Sequence, residues 1–284
     1  MKKSLSPTIL LGVGRSGTTL VQRILNSYNK TLIWGEHAGF LNKTAESYEL
    51  LLKNKSMDDY SFSQNNTSDS GINIDFYKDP NRWQAWNNWF SKKDIRSIYQ
   101  ESFTSIFNPL DLNDLQWGFK EIRYGNLKTL SYIADLFPQA KFIFVVRHPL
   151  NTIESQLNTF HQGESKYLSI KRIIQLPIAI KIALQWSHDN KAYFDFSKKH
   201  PANTHLIKYE DFISGKEGIE NLASFLNTHV SADQENILSL SEGRGSSYSE
   251  NGNENERWKR LGAIPLLILK PLTKNTGSLF GYNL

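Results

Sequence analysis

The chain of 284 residues contains no cysteine. Disulfides, thiolate metal sites and a cysteine nucleophile are therefore excluded. Long apolar runs are also missing: the longest near the C-terminus, Leu261 to Leu269, is far shorter than the roughly 20 residues a membrane-spanning helix needs. No dense run of Lys or Arg accompanies the net charge of +5, and dispersed charge suits a small anionic ligand better than nucleic acid. Neither an internal repeat nor a metal-ligand spacing is present, so no metal is expected. Lys2 and Lys3 are followed by Pro7 and a short run ending in glycines, which is not the pattern of a secretory leader. A cytoplasmic chain with no transmembrane segment is the expectation. On that expectation Asn29-Lys30-Thr31 and Asn42-Lys43-Thr44 are chance matches to a glycosylation pattern.

What is present is ample material for a core, 39% hydrophobic and 12% aromatic, and a regular alternation of short apolar runs with helical spacing. Candidate strands are Thr8 to Val13, Thr31 to Trp34, Trp117 to Ile122, Lys141 to Val146 and Thr204 to Tyr209. Between them helices are predicted at Thr18 to Leu25, Phe40 to Leu52, Tyr124 to Phe137, from Pro149 onward, and over Ile170 to Ser197 with a break at Pro177. Pro80 to Phe107 reads as one long helix or two, carrying Trp83, Trp86, Trp89 and Phe90. Glu217 to Leu226 and Ala232 to Leu240 read as short helices. Lys53 to Asp79 and Gly243 to Glu256 are polar and read as loops. Strands alternating with helices imply an α/β fold, a parallel sheet flanked by helices, in one domain over 1–284 with a mostly helical insertion around 38–116.

In such sheets ligands gather at the carboxyl ends of the strands. The first strand ends in Gly12-Val13-Gly14-Arg15-Ser16-Gly17-Thr18-Thr19, a glycine-rich turn opening a helix whose first N–H groups favour an anion. It fits the phosphate-loop frame GxxxxGK[ST] except that Thr18 stands where the lysine belongs. Triphosphate chemistry loses its main cation there, whereas Arg15 offers a guanidinium fork suited to an oxyanion.

Arg-Ser-Gly-Thr-Thr after a hydrophobic strand resembles the 5′-phosphosulfate loop of sulfotransferases that use 3′-phosphoadenosine 5′-phosphosulfate (PAPS). Arg147, followed eight residues later by Ser155, is similar to that family's 3′-phosphate motif; a dianionic phosphate wants a guanidinium plus a hydroxyl. The resemblance implies a sulfotransferase version of the P-loop fold, with a cradle of Gly14, Arg15, Ser16, Gly17, Thr18 and Thr19, and Lys120 helping to neutralise the leaving group. It also implies a general base at Glu36, about twenty residues after Arg15. His37, with an ordinary pKa nearer neutrality, and Glu121 remain alternatives. Tyr209-Glu210-Asp211 is similar to a recurring structural segment in which Asp211 would cap a helix, and Arg244, Ser247 and Trp258 lie in a late loop that would close on the nucleotide.

The implied reaction is in-line transfer of a sulfuryl group from PAPS, leaving 3′-phosphoadenosine 5′-phosphate (PAP), to a hydroxyl acceptor. A carbohydrate or glycolipid is the first expectation. A P-loop kinase or triphosphatase and a non-catalytic nucleotide-binding module are the competing readings.

Overall fold

The computed structural model describes residues 6–28, 30–54, 67–68, 71–72, 90–108, 115–159, 174–214, 217–228 and 254–284. Its strands are β1 (Thr8–Gly12), β2 (Thr31–Trp34), β3 (Thr67–Ser68), β4 (Gly71–Ile72), β5 (Gln116–Glu121), β6 (Lys141–Val146) and β7 (Thr204–Lys208). The helices are α1 (Thr18–Ser27), α2 (Leu41–Lys53), α3 (Lys92–Phe107), α4 (Leu127–Leu136), α5 (Pro149–Thr159), α6 (Leu176–Lys199), α7 (Tyr209–Ser214), α8 (Glu217–Leu226) and α9 (Ala263–Leu279).

Five strands form one sheet in the order β2-β5-β1-β6-β7, every neighbouring pair parallel. Parallel neighbours require crossover connections, which the helices supply on both faces. Side-chain alternation sorts the core. Ile9, Leu11, Trp117, Phe119, Phe142 and Phe144 pack with buried residues of α2, α3, α4 and α6. Leu10, Ile33, Ile143, Val145 and Ile207 pack with α1, α7 and α8 on the other face. The centre of the sheet is tight enough that a Cβ on Gly118 would lie 1.7 Å from the Thr8 carbonyl oxygen, so only glycine fits there.

Local sequence explains where several helices start. Ser91 and Asp94 form a reciprocal capping box ahead of α3, and Asn126 accepts the Thr129 N–H at the start of α4. One expectation holds and one is corrected. The expected break falls at Gln175, a turn between helical Ile174 and the start of α6 at Leu176, which puts Pro177 in the first turn of α6, where its missing N–H costs nothing. Asp211 is not a cap, because α7 already begins at Tyr209. Helix α9 was not anticipated from the apolar run that opens it. Trp83, Trp86, Trp89, the segment 232–240 and most of the two expected loops lie outside the described residues, while 254–261 forms a 3-10 helix.

Candidate functional site

The glycine-rich turn lies at the carboxyl end of β1, the strand flanked by β5 and β6. The Ser16 N–H donates to the Val13 carbonyl at 3.0 Å, and the turn closes through left-handed backbone at Arg15 (φ 68°) and Gly17 (φ 97°). Any side chain at Gly17 would strike the Tyr209 ring, 2.2 Å from the ideal Cβ. Helix α1 therefore starts with no side-chain cap, leaving its N-terminal end suited to an anion. Ser16 and Thr18 are buried, and the Ser16 hydroxyl has no hydrogen-bond partner among the described residues.

Arg147 follows β6 and is buried. Its guanidinium lies 4.7 Å from the centroid of the Tyr209 ring, Nη1 donates to the Arg15 carbonyl at 3.2 Å, and Nε has no partner among the described residues. Ser155, on α5, accepts a hydrogen bond from Arg15 Nε at 3.1 Å. Gln156 Nε2 on the next position of α5 holds the Gly14 carbonyl at 2.8 Å. Arg15 thus joins the loop to both members of the expected 3′-phosphate pair. Behind them the Trp186 indole N–H donates to the Arg147 carbonyl. Glu210 accepts from the His148 N–H and from the Tyr282 hydroxyl, bracing the segment after β6.

Lys120, the penultimate residue of β5, is buried, with Nζ 2.7 Å from Glu36 Oε1 and 3.4 Å from the Thr19 hydroxyl. Arg123, which the sequence pattern does not single out, spans two carboxylates: Nη1 lies 3.2 Å from Glu36 Oε2 and 2.6 Å from Glu121 Oε1. Its only sequence signal is its place just past a strand end that carries alternating charges, Lys120-Glu121-Ile122-Arg123. Glu36 remains about one-third exposed.

Glu121 is fully buried and accepts from the N–H groups of His37, Gly39 and Ile122 as well as from Arg123. Burial raises its pKa, yet these donors outweigh it and hold the carboxyl below the usual range. Its oxygens are committed to holding the β2–α2 turn. His37 is ringed by Phe40, Phe107, Phe119 and Tyr124, and Nε2 pairs with the Tyr124 hydroxyl. Burial lowers its pKa, only partly offset by Glu121. Of the three candidate bases, Glu36 alone combines partial exposure with contact to Lys120.

The loop, Glu36, Lys120, Arg147 and Ser155 thus meet at the carboxyl end of the sheet. Lys120 and Arg123 pair with Glu36 and Glu121, while Arg15 and Arg147 lie against Ser155 and the loop. Trp258 instead reaches Asn151 on α5 through its N–H, and Arg244 and Ser247 lie outside the described residues. A cavity of about 510 Å³ lies apart from the motif residues, between α2 and α4, lined by Tyr48, Leu52, Leu127 and Tyr132 among others. No group of His, Asp and Glu suited to a metal occurs among the described residues.

A family profile described as the sulfotransferase family matches residues 7–231. No curated protein matches. Among solved structures, the chain is similar to the sulfotransferase domain from the olefin synthase of Synechococcus PCC 7002, with 18% identity and TM-score 0.58, covering 100% of this chain and 97% of that one. It is also similar to the sulfotransferase domain from the curacin biosynthetic pathway (18% identity, TM-score 0.53, covering 99% and 100%). A third similar structure is sulfotransferase STF9 from Mycobacterium avium (12% identity, TM-score 0.52, covering 98% and 78%). At these identities the structures speak for a shared fold.

Proposed function

The chain belongs to the sulfotransferase family, and from that premise we propose that it transfers a sulfuryl group from PAPS to a hydroxyl on a carbohydrate or glycolipid. The observation that carries the donor assignment is a pair of orphaned buried donors. Ser16 Oγ in the loop and Arg147 Nε beyond β6 have no partner among the described residues, and leaving buried donors unpaired costs about 1–3 kcal/mol each. A ligand with two separate anionic groups, one at each end, fits both. PAPS supplies an already activated sulfuryl group when bound.

The chain's own residues divide the work. The loop N–H groups with Ser16, Thr18 and Thr19 hold the 5′-phosphosulfate, and Arg147 with Ser155 holds the 3′-phosphate. Arg15, bonded to Ser155, couples the two ends and keeps its charge close to both. Lys120 sits between the Thr19 hydroxyl and Glu36, so it stabilises negative charge growing on the leaving oxygen. Glu36 takes the acceptor proton. Arg123 holds the second oxygen of Glu36, fixing the direction of the first. We place the acceptor toward the insertion around 38–116, within a single domain over 1–284.

Incubating the protein with PAPS carrying labelled sulfate and pooled glycans, glycolipids and phenols tests this reading. Label should move to a sugar-bearing acceptor. PAP binding with no transfer to any pool would leave a nucleotide-binding module instead.

A further inference from the structure

The C-terminal segment combines two features that the crevice does not use. The 3-10 helix Glu254–Leu261 carries Arg257, Lys259 and Arg260 against Glu254 and Glu256, and from Gly262 to Leu284 there follow Lys270 and Lys274 and not one Asp or Glu. Helix α9 buries one side, with Leu269 in a cluster formed by Leu150, Ile153 and Leu157 of α5 and Ala179, Ile182 and Ala183 of α6. Its other side leaves Ile264, Leu267 and Ile268 exposed by 54%, 76% and 37%. These three stand at i, i+3 and i+4, on one face of the helix, and Lys274 follows two turns after Leu267 on that same face. Large apolar side chains on a protein surface are ordinarily scattered singly. Here they form a ridge that runs into a cation.

We propose that this face of α9 rests on a membrane interface rich in anionic lipid. The aliphatic ridge enters the boundary between headgroups and acyl chains, and the basic residues around it meet the lipid phosphates and carboxylates. Charge decides the occupant. A second copy of the chain would bring a helix whose only charges are Lys270 and Lys274 against its like, an arrangement that repulsion disfavours. The helix lies on the bilayer and does not cross it, since no described helix is long and apolar enough to span one. The inference stands apart from the donor site and needs no turnover to test.

Co-sedimentation of the full chain with phosphatidylcholine vesicles, with and without phosphatidylserine, is the experiment. Binding to the mixed vesicles should be at least about tenfold stronger than to neutral ones and should fall steeply with salt, because surface attraction decays within a Debye length. Ile264→Asp with Leu267→Asp should weaken it by a further tenfold or more, and Lys274→Glu by several-fold. All three positions are exposed, so unchanged circular dichroism and Tm separate lost contact from unfolding. Failure of the wild type to sediment with mixed vesicles, or equal sedimentation of wild type and double variant, would overturn the proposal. So would a dimer, seen by analytical ultracentrifugation, that the double variant dissolves.

Discussion

Replacing Glu36 by Gln separates the base from the donor cradle. The carboxylate holds Lys120 at 2.7 Å and Arg123 at 3.2 Å. Lys120 is nearly buried, so losing that bond costs about 1.5–3 kcal/mol, the value of a hydrogen bond to a charged group. Arg123 is close to half exposed, and its contact is worth less than about 1 kcal/mol. A total near 2 kcal/mol should lower Tm by roughly 3–4 °C for a chain of this size. Turnover should fall far more, by about 10²- to 10⁴-fold, because a general base is removed. Donor affinity should not weaken, since the loop, Arg147 and Ser155 make no described contact with Glu36 and Lys120 is released toward Thr19. Single-turnover transfer and calorimetry with PAP, both run well below the variant's Tm, read the two quantities independently. His37→Ala is the matched control: the ring is wedged among aromatic neighbours, so stability should suffer more than chemistry. Near-normal transfer by Glu36→Gln together with loss in His37→Ala would refute the assignment of the base.

Other perturbations follow from the same contacts. Arg147→Ala should weaken PAPS binding by about tenfold to a hundredfold and largely erase the preference for PAPS over adenosine 5′-phosphosulfate, as measured by calorimetry. Gly17→Ala forces a Cβ into the Tyr209 ring at a left-handed position, so it should cost about 1–3 kcal/mol or more in urea unfolding and abolish donor binding. Arg123→Met should lower kcat while leaving PAPS affinity within a few-fold, with Arg123→Lys restoring part of the loss. Burial lowers the pKa of His37, His148 and His205, so below their ordinary value the unfolded chain binds protons that the folded chain refuses. Stability should therefore fall as pH drops below about 6.5, and His148→Gln should flatten the slope of Tm against pH; a Tm that rises over that interval would contradict it.

The sheet was legible in the sequence because parallel strands buried on both faces leave short apolar runs, as in Phe142 to Val146, and their order with the helices restricts the topology. Glycine punctuation marked the loop for the same reason. Helix α9 was not legible: its exposed Ile264, Leu267 and Ile268 erase the polar face that signals an amphipathic helix, and Pro265 and Pro271 read as breakers. Pro177 marked the break at Gln175 to within two residues, since proline interrupts a helix interior but is accommodated in a first turn. Within the site, residue types and strand-end positions pointed to Arg15, Glu36, Lys120 and Arg147, and the resemblance of the motif that starts at Arg147 pointed to Ser155. Which carboxylates are committed was not legible, because the saturation of Glu121 by three backbone N–H groups and Arg123 depends on the path of the β2–α2 turn. Tyr209 likewise gave no sign that its ring would fill the space beside Gly17 and beneath Arg147.

In the proposed function the crevice at the end of β1 holds a nucleotide by two separated anionic groups. Isothermal titration of the wild-type protein with PAP and with adenosine 5′-monophosphate, which lacks the 3′-phosphate, tests it most directly. Saturable binding of PAP is expected, at least about tenfold tighter than that of the monophosphate, because a hydrogen bond to a charged group is worth about 1.5–3 kcal/mol. Equal affinities, or no heat of binding with PAP, would contradict it.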